Sequence, residues 1–204
     1  MHATSGTNDK ARVGDAFPTL QLAAISGRLV TIPDPAGDYV HLQLRRFAGC
    51  PICNLHLRSI VRRYDEIRSH GIREAVVFHS TVAELAKYEA DLPFPLIADP
   101  ERQLYRLLGV ERGPSSLVSM RALRAAIGGQ TAALTKRSTM RAFGPIKPTG
   151  GPFGLPADFL IAPDGRLAAV KYGQHAYDQW TVDELLEHAQ PVRRDHPPRP
   201  CPTR

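Results

Sequence analysis

The chain predicts a layered α/β fold, with a mixed central sheet flanked by helices. Three observations carry this. Short apolar runs alternate with amphipathic stretches between residues 39 and 109, the pattern of strands joined by helices. Near the C-terminal end, Asp164-Gly165 separates two further apolar runs, marking a tight β-hairpin that adds antiparallel strands. The run from Tyr39 to Leu44 leads through a short turn, Arg45 to Gly49, into Cys50-Pro51-Ile52-Cys53, where a helical pattern begins.

Taken in order, residues 1–12 read as a disordered lead. Residues 18–32 hold two apolar runs around Ser26-Gly27, an N-terminal hairpin. A strand at 39–44 is followed by a helix from 51 to about 69, in which Leu57, Ile60, Val61, Tyr64 and Ile67 share one face. Residues 74–79 read as a buried parallel strand. Thr81 and Glu84 form a capping box for the next helix. Phe94 to Ala98 reads as a strand. Asp99-Pro100-Glu101 then gives an N-cap, a proline and an acid, opening a short helix that ends near Gly109. Strands from Asp158 to Pro163 and from Leu167 to Tyr172 flank the Asp-Gly turn, and Thr181 to Glu184 starts a last helix that Pro191 ends. The stretch 111–154 is expected to be an insertion before the final hairpin, covering one edge. Residues 13–190 form one domain, and 191–204 a Pro/Arg-rich tail.

The chemistry is concentrated in the Cys-x-x-Cys. Cys50 falls at the helix N-cap and Pro51 at the first helical position, where its missing N–H costs nothing. Unpaired backbone N–H groups and the positive end of the helix dipole favour a thiolate there, making Cys50 the expected nucleophile. Cys53 lies one turn on, close enough to close a disulfide and act as the resolving thiol. A zinc site is the competing reading, but structural zinc takes four ligands. The third cysteine, Cys201, sits in the tail and reads as incidental, which leaves His56 or His79 as helpers for a metal-binding or metallochaperone role.

Composition narrows the classes. Hydrophobic residues make up 43% and charged residues 23%, as in a soluble globular protein. No apolar run approaches the roughly 20 residues needed to span a bilayer, and Met1 to Lys10 lacks a secretory hydrophobic stretch. The cytoplasm is the expected compartment, where such a motif is catalytic rather than a structural staple. The net charge of +6 comes from scattered pairs such as Arg45-Arg46, Arg62-Arg63 and Arg193-Arg194, without interleaved aromatics, so no nucleic-acid partner is expected.

The strand feeding Cys50-Pro51-Ile52-Cys53, with the later Gly154-Leu155-Pro156-Ala157-Asp158-Phe159-Leu160-Ile161 and Pro163-Asp164-Gly165-Arg166, resembles the thioredoxin fold. Within it the chain is most similar to the alkyl hydroperoxide reductase/thiol-specific antioxidant group, especially its peroxiredoxin-like members, over roughly residues 13–190. The resemblance implies an attacking Cys50 and a resolving Cys53. It implies a cis peptide bond at Pro156, whose exposed backbone edge would pair with an extended thiol substrate. Substrate contact falls on Pro156 with Leu155 before it, on Pro51 and on Arg46. The implied partners are a peroxide or disulfide substrate, a thioredoxin- or glutathione-type reductant and a second copy as a homodimer; no metal, flavin or nucleotide cofactor is implied.

The chain also departs from that pattern. Typical members carry Thr or Ser three residues before the attacking cysteine, where this chain has Phe47, and an arginine at the strand start, where it has Pro156. Those groups bind the peroxide oxygens and stabilise developing charge. Arg45 and Arg46 are the nearest stand-ins, although their first reading is solvated surface. His56 reads as a partly exposed helix residue, Asp158 as the solvent face of a strand, and Trp180 as packing for the last helix. His79, at the end of a central strand, points to the side where α/β sheets keep their sites. A third option is an interaction module in which the fold is only a scaffold.

Overall fold

In the computed structural model, residues 10–88, 92–110 and 154–189 are described. Most of the expected insertion, the lead up to residue 9, and the tail with Pro191 and Cys201 lie outside these residues. A hairpin of β1 (Leu20–Ala23) and β2 (Leu29–Ile32) stands apart from a five-stranded sheet. That sheet contains β3 (Tyr39–Arg45), β4 (Ile72–Phe78), β5 (Leu96–Ala98), β6 (Ala157–Ile161) and β7 (Leu167–Tyr172), in the order β5-β4-β3-β6-β7. β3, β4 and β5 run parallel, whereas β6 and β7 join antiparallel, which is the mixed sheet expected.

β3 is buried along its whole length, so its two faces serve two cores. Val40, Leu42 and Leu44 face Phe17, Ile32, Phe159 and, from α4 (Gln103–Leu107), Leu104 and Tyr105. The opposite face is covered by α1 (Pro51–Arg62), α2 (Tyr64–Ser69) and α5 (Val182–His188), through Leu57, Ile60, Ile67, Trp180 and Leu185. The one-turn helix α3 (Val82–Leu85) adds Leu85 to this second core. Among the described residues no helix is long and apolar enough to cross a membrane.

Three boundaries differ from the sequence pattern. The expected helix 51–69 is broken at Arg63, whose φ of −116° leaves helical space; this re-aims the chain so that Ile67 as well as Ile60 is fully buried. Arg63 is tied to Glu66 and, across to α5, to Asp183. The expected strand from Phe94 starts at Leu96, after Pro95, which has no N–H to give a ladder. The helix expected from Pro100 starts only at Gln103, behind Arg102 at a positive φ. Asp99 still acts as its N-terminal acceptor, taking the N–H groups of Gln103 and Leu104 at 2.8 and 2.9 Å. Both Thr-x-x-Glu capping boxes form as read, at Thr81 and at Thr181.

The β6–β7 pair is pinned by a glycine. Gly173 follows β7 and donates to the carbonyl of Pro156 at 2.9 Å. A Cβ on Gly173 would meet Asp178 O at 2.6 Å, Pro156 Cγ at 2.7 Å and Pro156 O at 2.8 Å, two of them backbone atoms that cannot step aside. Gly173→Ala is therefore expected to lower stability by about 1–3 kcal/mol. Urea unfolding of the variant against wild type measures this.

Candidate active site

The cysteines sit where β3 ends and α1 begins. Gly49, at a φ of +77°, makes the sharp turn that an L side chain resists, and the Cys50 N–H bonds Phe47 O at 3.1 Å. Cys50 is the N-cap of α1 in extended geometry, with Pro51 at the first helical position. Its carbonyl takes the Asn54 N–H at 3.0 Å, the first bond of the helix. Both cysteines are free thiols, wholly buried.

Their protonation is split. The Cys53 thiol donates to the Cys50 sulfur, the Arg46 guanidinium adds its charge, and the backbone N–H groups of Cys53 and Ile52 point at it, against the cost of burial. Together these lower the Cys50 pKa from 9.0 to about 6. Arg46 Nη1 lies 3.7 Å from Cys50 Sγ. Cys53 moves the other way: burial first, and then the facing Cys50, push its thiol well above the usual range. Cys50 is thus the thiolate and Cys53 the proton donor.

The two arginines are not on the surface. Arg45 and Arg46 are 0% and 1% exposed, because β3 runs through the centre of the sheet and the turn after it is roofed by α1. Arg45 enters a polar layer between the sheet and α1. Its Nη2 donates to Asp158 Oδ1 at 2.5 Å, to Gln43 Oε1 at 2.6 Å and to His56 Nε2 at 3.1 Å. His41 bridges Glu74 at 3.0 Å and Asp158 at 3.1 Å, and Gln43 also bonds Glu74. Asp158 takes the Trp180 N–H at 3.4 Å. These groups shift as a layer should: the two carboxylates raise the His41 pKa to about 9 despite burial. Burial and the Arg45 charge lower that of His56 to about 3. Against the pull of burial, Arg45 and His41 hold Asp158 well below the carboxylate range.

Two sequence readings are overturned here. Asp158 is fully buried, because β6 lies between β3 and β7 and both faces of that pair are covered. His56 is 8% exposed and is committed to Arg45. The alternation His41, Gln43, Arg45 in β3 was the available signal for this layer. It could be read only once Glu74 and Asp158 were placed in register beside it, as His41↔Glu74 and Gln43↔Asp158.

Pro156 is also corrected. Among the described residues the cis peptide bond is Ile32–Pro33, so Leu155–Pro156 is trans. Pro156 is buried and leads into β6, its carbonyl extending the ladder to Gly173; this is a strand-start proline, where no N–H is needed. Leu155 and Pro51 are half-buried, and Phe47 is half-buried with its ring beside the Arg46 guanidinium, 5.4 Å from the centroid.

His79 is fully buried at the end of β4, its N–H bonded to Arg46 O at 3.1 Å. Arg102 Nη2 approaches its ring nitrogens at 3.3 and 3.4 Å, and Gly154 packs so close that a Cβ would meet His79 Nε2 at 3.0 Å. Tyr105 from α4 donates its hydroxyl to Arg45 O and, at 3.1 Å, to Val77 O, tying the ends of β3 and β4 together. Neither Arg102 nor Tyr105 was singled out from the sequence, since both acquire their place from α4 packing. His56 and His79 thus turn to arginines, and no group of three metal-ligating side chains occurs among the described residues. Trp180 packs beside His188 and the His41 ring, as its place before the last helix suggests.

Removing one partner of a buried pair strands the other, so Asp158→Ala is expected to cost about 3–5 kcal/mol in urea unfolding. A pH series separates two other contributions. His41, raised from 6.5 to about 9, adds stability that is complete below pH 6.5 and lost as pH rises through 9. Cys50, lowered from 9.0 to about 6, adds stability that is complete above pH 9 and lost as pH falls through 6. Their slopes oppose between pH 6.5 and 9. The melting temperature of wild type should be nearly flat there, and that of Cys50→Ser should fall.

Comparison with known proteins agrees with this geometry. The family model described as AhpC/TSA antioxidant enzyme matches residues 59–175, more than half of the chain, beginning just after the two cysteines. A peroxiredoxin of Hyperthermus butylicus is 24% identical over 120 residues, which are 54% of this chain and 51% of that protein. The chain thus spans about half the length of the curated relative it matches. Among solved structures, peroxiredoxin 6 of Arenicola marina is 19% identical with a TM-score of 0.60, over 86% of this chain and 70% of its own. Peroxidoxin BcpB of Mycobacterium tuberculosis is 15% identical at 0.61, over 89% and 98%. A thiol:disulfide interchange protein DsbE of Chlorobium tepidum is 18% identical at 0.56, over 88% and 99%. These likenesses show the fold, the thioredoxin-like one, and the chain belongs to the AhpC/TSA antioxidant enzyme family.

Proposed function

We propose that this chain is a thiol-dependent oxidoreductase that reduces peroxides through Cys50, with Cys53 as the resolving thiol. The observation that carries the reading is the Cys50 sulfur at a helix N-cap, 3.7 Å from the buried Arg46 guanidinium and hydrogen-bonded by Cys53. The Cys50 thiolate attacks one peroxide oxygen, the O–O bond breaks, and Cys50 becomes a sulfenic acid while the departing alkoxide or hydroxide takes a proton. Arg46 faces the charge that develops in this step and stands in for the helpers replaced by Phe47 and Pro156. Cys53 then attacks the Cys50 sulfur, expelling water and closing the disulfide. Because burial holds Cys53 as a thiol, this closure is the slower of the two steps.

Disulfide exchange is a second reading. Phe47 in place of a hydroxyl residue favours it, as does a pair of cysteines one turn apart on one helix. There Cys50 attacks a substrate disulfide and Cys53 releases the second thiol. Either way a thioredoxin- or glutathione-type partner returns the pair to the dithiol, and the cytoplasm is the compartment that would keep it reduced. Half-buried Pro51 and Leu155 are the apolar contacts offered to a substrate or partner.

Mass spectrometry after one equivalent of hydrogen peroxide tests the proposal. A Cys50–Cys53 disulfide in wild type, and a trapped sulfenic acid at Cys50 in Cys53→Ser, are expected. Thiols untouched by peroxide but oxidised by glutathione disulfide would move the function to disulfide exchange. A stoichiometric metal in protein purified under reducing conditions would return it to the metal-binding alternative with Cys50 and Cys53.

A further inference from the structure

We propose that the cleft between β2, α2 and the first half of β4 is a binding site for a small organic anion, a single-ring carboxylate in class. It is separate from the cysteine site and does not depend on it. Val40 lines the cleft, whereas Cys50 lies beyond Arg45, about 17 Å further along β3 at the usual strand rise.

The cleft is a product of strand lengths. β5 pairs with β4 only from Val76 to Phe78, so Arg73, Glu74 and Ala75 extend past its start. The loop of the N-terminal hairpin is joined to β5 by the Ile25 N–H on Leu96 O at 2.8 Å, and β2 closes the other side. The space left has a volume of about 130 Å³. A cavity of about 150 Å³ holds a benzene ring, so this one is of single-ring size. Leu29, Val30 and Pro95 supply an apolar wall, on which Leu29 is 61% exposed.

The charges set the sign of the ligand. Two carboxylates line the cleft, and both are matched: Glu74 by His41 at 2.9 Å, and Asp34 by Arg73 at 3.0 Å. Arg28, just before β2, and Arg68, in α2, line it as well. Among the described residues neither of these arginines forms an ion pair or a side-chain hydrogen bond. Asp38 also shares Arg73, at 3.1 Å, and even with it counted the cleft carries one cation more than its carboxylates. A guanidinium takes a carboxylate through two parallel N–H···O bonds, a geometry that a rounder anion does not match. The two arginines come from opposite walls, so a carboxylate held by both would tie the hairpin to α2, with its ring against the apolar wall.

Benzoate is the probe. Equilibrium dialysis of the reduced full chain against labelled benzoate reads the affinity, and the melting temperature gives a second readout, since a ligand of the folded state raises it. Saturable binding is expected. Arg28→Gln and Arg68→Gln should each weaken it by about threefold to tenfold, the scale of a charge-assisted contact at a partly exposed site. Arg58→Gln removes an exposed arginine of α1 outside the cleft and should bind as wild type. Leu29→Asp, a carboxylate at an exposed rim position, should abolish binding while leaving the fold intact. Benzamide, of the same shape without the charge, should not raise the melting temperature, and inorganic phosphate should bind less tightly than benzoate. No saturable binding, or equal affinity in wild type, Arg28→Gln and Arg68→Gln, would overturn the inference. So would an equal loss in Arg58→Gln, which would mark a response to net charge alone. Benzamide or phosphate binding as tightly as benzoate would overturn the ligand class.

Discussion

The Arg45–Asp158 ion pair is the contact on which the arrangement of the site depends. It joins the last residue of β3 to β6, and through the same two side chains it reaches α1 by way of His56 and the start of α5 by way of the Trp180 N–H. Two of the helices covering this face of the sheet are thus attached to one buried pair. The pair is itself neutralised within a larger layer, where His41 lies between Glu74 and Asp158. A buried ion pair is seldom a source of net stability against an apolar replacement. What it supplies here is position: the β3 end and the α1 helix are held in one relation, and Cys50 occupies the junction.

Adjacent arginines have opposite roles because strand geometry sends successive side chains to different places. Arg45 turns inward under α1 and is balanced by Asp158. Arg46, just past the strand, turns to the thiolate. The Tyr105 hydroxyl on the Arg45 and Val77 carbonyls, and the His79 N–H on the Arg46 carbonyl, fix the backbone from which Arg46 departs. The cation beside the Cys50 sulfur is therefore placed by main-chain contacts as well as by its own side chain.

Much of the fold was legible in the chain because its signals are local. The capping boxes at Thr81 and Thr181, the Asp-Gly hairpin and the Cys-Pro-Ile-Cys helix start all depend on residues within a few positions of one another. The misreadings have the opposite character. Asp158 reads as solvent face and His56 as partly exposed when each is taken with its own element, whereas the partner of both, Arg45, comes from β3. The break at Arg63 is similar: the apolar face of residues 51–69 is continuous, and of the two ties that Arg63 makes at the interruption, the one to Asp183 comes from α5, far away in sequence. The cis bond expected at Pro156 came with the family likeness; the peptide bond is trans, and the proline's carbonyl opens the ladder toward Gly173.

The alternation in β3 has a consequence for how the chain finds its fold. His41 meets Asp158 across 117 residues of sequence, and β3 and β6 must choose one pairing among several that would satisfy their backbones equally. Shifting the pairing by one residue would reverse which face each side chain occupies. Asp158 would then sit among Val40, Leu42 and Leu44 on the apolar side and Phe159 on the polar one, while Arg45, His41 and Glu74 kept their charges without it. Mispaired collapsed forms carry that electrostatic cost from the moment water leaves the sheet. The polar layer thus works during folding as a proofreading device, rejecting near-miss topologies that hydrophobicity alone would tolerate.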